Sequence, residues 1–164
     1  MSAESSDQRA WFVVALLLSL AGDVALLAPA RWFIVGLGAF LLAHGAYVIG
    51  LLLEPGASGS PLVGLVLAGT GAAVVGAPIV DAVLRHRGRA TTLAVAAYVV
   101  AISATVVAAG TSGDPLGLSG ALALYASDGI LAWNRFVRPL PRGRLLTRIP
   151  YHLGQALLAV SLLA

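Results

Sequence analysis

LALYASDGILAWNRF, Leu122 to Phe136, is an apolar run with a carboxyl near its middle, Asp128, and no other charge from Leu116 to Asn134. A helix crossing the hydrocarbon of a bilayer needs about 20 mostly apolar residues, and this run with its upstream flank supplies them. A charge at that depth costs at least ~2.5 kcal/mol, so an intramembrane acid is expected to face a bundle interior or a wet cavity and to have a function there. The same argument applies to SLAGDVALL, Ser19 to Leu27, where Asp23 interrupts an equally apolar stretch.

The rest of the chain agrees with a membrane reading. Hydrophobic residues make up 59% of the 164 and charged residues 10%, against roughly 25% charged in soluble domains. Apolar runs bounded by charge, Pro and Gly give six spans, at 11–28, 32–53, 61–84, 91–110, 116–137 and 150–164. The expected fold is all-α: a polytopic transmembrane bundle of six helices, with a polar N-terminal tail over 1–10 and one helical domain over 11–164. The last span is short for ~30 Å of hydrocarbon.

All ten basic residues are arginines. In a six-span chain Arg31, the group Arg85, Arg87 and Arg89, and the group Arg135, Arg138, Arg142, Arg144 and Arg148 fall on one side, with Arg9 opposite. Positive loops stay in the cytoplasm, so both termini are expected to be non-cytoplasmic. The start of the chain also resembles a secretory signal ending at Ala28-Pro29-Ala30, but Asp23 breaks its hydrophobic region and the stretch is long enough to remain as a span. The net charge of +3 lies in short connections suited to lipid headgroups, and no nucleic-acid partner is expected. Cysteine is absent, which excludes disulfides and thiolate metal sites. Gly64, Ala68, Ala72 and Gly76 form a stripe of small residues that lets another helix approach closely.

Polar residues gather in one layer of the oriented chain. Asp23, Asp128, Tyr151 and Gln155 share the cytoplasmic half, with His44 and Tyr47 deeper, as the floor of a cavity. Helical spacing puts Ser19 with Asp23, His44 with Tyr47, Ser127 with Asn134, and Tyr151 with Gln155. For Ser19, Ser127 and Gln155 taken alone, helix-to-helix hydrogen bonding is a sufficient explanation. Asp81, one turn before Arg85, reads as a surface ion pair. Glu54 and Asp114 read as solvated caps beside Pro55 and Pro115. Trp11, Trp32 and Trp133 read as interfacial anchors. His86 and His152 lack metal-ligand spacing; a metal would need His44 and both aspartates together, and neither metal nor cofactor is expected. No nucleophile elbow, phosphate loop or dinucleotide fingerprint occurs.

Four blocks in order, SLAGDVALL at Ser19–Leu27, FLLAHGAY at Phe40–Tyr47, SDGILAWNRF at Ser127–Phe136 and YHLGQALLAVS at Tyr151–Ser161, resemble the YhhN family, the membrane lysoplasmalogenases. Members of that family usually have eight spans, with two before the Gly-Asp helix at which this chain begins. Thr105 stands where methionine is common after the tyrosine matched by Tyr98. The resemblance implies hydrolysis of the vinyl ether bond of lysoplasmalogens to a fatty aldehyde and a glycerophospho-base, in a multi-pass protein of the bacterial cytoplasmic membrane.

Enol ether hydrolysis needs one acid and one base, and two aspartates in unlike settings can divide those tasks. The expectation is that Asp23 is the general acid and that Asp128, on the helical stripe of Arg135, is the base, with the swapped assignment left open. His44 and Tyr47 would steady developing charge, Asn134 and Gln155 would hold glycerol or water, and Arg135 to Arg148 would meet the phosphate. Two other readings use the same residues: a transporter or channel in which the acids and His44 relay protons or bind a solute, and a non-catalytic family member whose polar stripes only pack the bundle.

Overall fold

In the computed structural model, which describes residues 3–53 and 58–163, the chain is all helical. Helix α1 runs Ala3–Leu27, a 3-10 turn covers Ala30–Trp32, and α2 is Phe33–Leu53. Helix α3 spans Pro61–Arg87, α4 Arg89–Ser112, α5 Pro115–Phe136 and α6 Gly143–Ser161. The polar residues from Ala3 to Arg9 are thus helical and continuous with the first span. Glu54 and Pro55, read above as a capped turn, lie outside the described residues.

Five helices, α1 to α5, are long and apolar enough to cross a membrane, so the chain is a multi-pass membrane protein. Helix α6 is the exception, with Arg144 and Arg148 in its first two turns. It also begins earlier than the expected 150. Arg142, at a left-handed φ of 57°, turns the chain, and its carbonyl accepts from Leu145 and Leu146, which starts the helix ahead of Pro150. Pro150 therefore lies inside α6, where a proline removes a backbone donor. Ser127 donates from its hydroxyl to the Thr147 carbonyl at 2.9 Å, which ties α5 to the backbone of the turn before Pro150.

Helix α4 is the centre of the bundle and packs against α2, α3 and α5; α1 lies along α2, and α6 along α5. The α3–α4 crossing depends on the predicted small stripe. A Cβ on Gly64 would stand 2.6 Å from Val107 Cα, so the two backbones touch there. Further along α3, a π-helical turn over Ala72–Gly76 precedes Pro78, whose missing N–H and ring disturb the regular ladder. Two apolar clusters fill the interior. One gathers Phe12, Tyr47, Leu51, Val106, Ala109, Leu124 and Leu158, and the other Ile79, Val83 and Val95 with Trp133 and Phe136 against them. On α2, α4 and α5 the polar residues described next fall between these clusters in sequence.

Candidate active site

Asp128 is reached from two other helices. The Tyr98 hydroxyl, on α4, donates to its Oδ2 at 2.5 Å, and His44 Nε2, on α2, lies 3.3 Å from the same oxygen. Tyr98 Oη and His44 Nε2 are themselves 3.3 Å apart, so the three atoms close a triangle. His44 Nδ1 meets Thr105 Oγ1 at 3.1 Å. Both side chains of the His44–Asp128 edge are withdrawn from solvent, at 4% exposure for His44 and 13% for Asp128.

A second polar group joins the outer helices. Tyr151 of α6 donates to Asp23 Oδ2 of α1 at 2.7 Å, and Tyr47 of α2 donates to Gln155 Oε1 of α6. These bonds tie α6 to the first hairpin. Asp23 and Tyr151 are both close enough to Asp128 to feel its charge. Phe40, which lines the cleft described next, stands edge-on to Tyr151 with ring centres 6.0 Å apart.

An apolar cleft with a cavity volume of about 60 Å³ opens against Asp128. Leu37 and Phe40 from α2, Val75 and Ile79 from α3, and Val99 and Ile102 from α4 give it hydrocarbon walls, and Tyr98, Asp128 and Arg135 are among its few polar residues. Arg135 is exposed and its guanidinium stacks 3.9 Å from the centre of the Phe33 ring. His44 is not part of the lining and sits behind Asp128 and Tyr98.

Several expected roles need correction. Arg135 does not pair with Asp128: its cation rests on an aromatic face, leaving the carboxyl to Tyr98 and His44. Ser19 is buried but makes no hydrogen bond with Asp23, whose partner is Tyr151 from the far end of the chain. Asn134 Oδ1 accepts from Leu140 N at 2.7 Å and closes the α5–α6 connection, and Ser127 is engaged with Thr147. His44 is the inner member of the triangle, not a bare cavity floor. Trp133 packs into the second apolar cluster, whereas Trp11 and Trp32 are exposed as anchors would be.

Tyr98 and Thr105 were not assigned roles from sequence. Their spacing of seven puts them on one face of α4, and this was the available signal. Asp81 and Arg85 form the expected exposed ion pair at 2.9 Å. Asp114 caps α5, accepting from Leu116 N at 3.0 Å and Gly117 N at 2.8 Å. Among the described residues, no group of three or more His, Asp or Glu side chains is arranged to hold a metal.

Comparison with known proteins bears on this site. The human lysoplasmalogenase TMEM86B is 35% identical over 149 residues, covering 91% of this chain and 62% of that protein. The Mycobacterium bovis lysoplasmalogenase is 38% identical over 135 residues, covering 79% of this chain and 51% of the relative. The chain thus spans between half and two-thirds of the length of these relatives. No solved structure matches. The model of the YhhN family matches residues 1–162, nearly the whole chain, and the chain belongs to that family.

Proposed function

We propose that this chain is a membrane-embedded hydrolase that cleaves the vinyl ether bond of lysoplasmalogen-type lysophospholipids, releasing a fatty aldehyde and a glycerophospho-base. The observation that carries the reading is the carboxyl of Asp128 at the wall of a mostly hydrocarbon cleft, where the alkenyl chain of a lipid would lie. The lysoplasmalogenase names of the relatives support the same chemistry.

The hydrogen-bond pattern favours the swapped assignment of the two acids. Asp128 faces the cleft, so it gives a proton to the β-carbon of the vinyl ether. The π electrons form the new C–H bond and leave an oxocarbenium ion at the carbon bearing oxygen. Asp23 is held as an acceptor by Tyr151. It takes a proton from the water that adds to that carbon, giving a hemiacetal. Collapse breaks the bond to the glycerol oxygen. The hemiacetal hydroxyl proton returns to Asp128, and the glycerol oxygen takes the proton held by Asp23, so both acids end as they began. The hydrocarbon walls exclude bulk water from the cation.

Arg135 at the cleft mouth and the arginines beyond it would meet the phosphate, on the cytoplasmic side of a bacterial inner membrane, with both termini opposite. The test is to incubate purified protein in lipid nanodiscs with vinyl ether, saturated ether and ester lysolipids and to measure both trapped aldehyde and released fatty acid. Release from the vinyl ether alone is the expected result; no aldehyde from it, or equal cleavage of the ester, would refute the reading.

A further inference from the structure

The triangle formed by His44, Tyr98 and Asp128 allows a count of protons. Thr105 has one hydroxyl proton and two neighbours, the Ala101 carbonyl at 3.2 Å and His44 Nδ1 at 3.1 Å. A threonine inside a helix commonly spends that proton on the carbonyl four residues back, which Ala101 supplies here. With the proton spent in that way, the Thr105 oxygen faces Nδ1 as an acceptor and Nδ1 carries the hydrogen of that contact. Tyr98 also has one proton, and the 2.5 Å contact places it toward Asp128 Oδ2. One edge is left, His44 Nε2 to Asp128 Oδ2 at 3.3 Å. With Nδ1 protonated and no further proton, that edge would set a nitrogen lone pair against a carboxylate, which is repulsive. One more proton must lie on it, on either partner. The opposite tautomer, with hydrogen on Nε2, needs no such extra proton.

We propose that Thr105 is a positioning residue that holds His44 with hydrogen on Nδ1, so that the resting site stores one proton between His44 Nε2 and Asp128 Oδ2. This rests on the reading of Asp128 as the acid that protonates the vinyl ether carbon. It adds where that proton waits: on the His44 side of the carboxyl, outside the cleft lining, from which turning of the protonated Asp128 carboxyl brings it to the cleft. It also supplies the drive for its return. Once Asp128 has given the proton away, the empty edge repels until the hemiacetal proton restores it.

The groups that face the triangle are few. Helix α4 gives Tyr98 and Thr105, and α5 gives Asp128. Asp23 from α1 and Tyr151 from α6 are bonded to each other and make no hydrogen bond with Asp128. Arg135 is held on Phe33, and α3 gives the cleft only Val75, Gly76 and Ile79.

The test uses the full chain with ¹⁵N-labelled histidine in lipid nanodiscs, with the exposed His86 and His152 replaced by Gln so that His44 gives the only signal. A hydrogen on Nδ1 is expected in the parent and in Thr105→Ser, and its loss or mixing with the other tautomer in Thr105→Val. Bare Nδ1 with hydrogen on Nε2 in the parent would overturn the proposal, whether or not any lipid is cleaved. In the activity arm, Thr105→Val should release aldehyde about tenfold more slowly, with Thr105→Ser restoring the rate. Aldehyde release by Thr105→Val at the parent rate would also overturn it. Aldehyde release absent from the parent, with Nδ1 protonated, would sink the hydrolase reading and leave the proton placement standing.

Discussion

Replacing Tyr98 by Phe removes one oxygen from the centre of the site and little else. The ring keeps its edge-on contact with His44, 5.5 Å between centres, and its place in the cleft wall. What is lost is the 2.5 Å bond to Asp128 Oδ2 and the 3.3 Å contact with His44 Nε2. A hydrogen bond to a charged group contributes about 1.5–3 kcal/mol. If that bond orients and stabilises the carboxyl as the reaction proceeds, its loss should lower kcat/KM by about 10- to 150-fold, at 1.36 kcal/mol per tenfold. Asp128→Asn, which removes the acid itself, should lose ~10²–10⁴. The assay is aldehyde release by purified protein in nanodiscs, with thermal unfolding checked for each variant. A Tyr98→Phe rate within about twofold of wild type, beside an inactive Asp128→Asn, would refute the idea that the tyrosine acts through Asp128.

Other substitutions test the fold. Gly64→Val should destabilise by about 3 kcal/mol in a denaturation experiment, because the new side chain meets the Val107 backbone where neither helix can yield cheaply. Asp114→Ala should cost about 1 kcal/mol through loss of the α5 cap, and Asp114→Asn should recover most of it. Asp81→Asn should leave the unfolding temperature unchanged, since its partner Arg85 is solvent-exposed and such pairs contribute little.

The spans were legible because a bilayer demands long apolar runs, and the punctuation at Pro29, Arg85 and Pro115 falls where helices end. The start of α6 was not, because Pro150 and the arginines before it look like a loop in sequence. In the structure Arg142 turns the chain earlier and α5 is tied to the turn before the proline. Within the site, the two aspartates, His44, Tyr47, Tyr151 and Gln155 stood out as polar groups in apolar surroundings, and each has an inter-helix partner. Their pairing was misread. Helical spacing reveals neighbours on one helix, so Asp23 was matched to Ser19 and Asp128 to Arg135, whereas the partners come from 128 and 30 residues away. Tyr98 and Thr105 escaped notice because a tyrosine and a threonine raise no alarm in a helix that otherwise reads as hydrocarbon. Only the three-dimensional crossing of α2, α4 and α5 gives them roles.

The central claim is that the two acids share one reaction, and it is tested most directly by aldehyde release from a lysoplasmalogen by the wild-type chain and its Asp23→Asn and Asp128→Asn variants, each shown to be folded. The account predicts turnover by wild type and a fall of at least ~100-fold in each variant. Wild-type rates in either variant would contradict it.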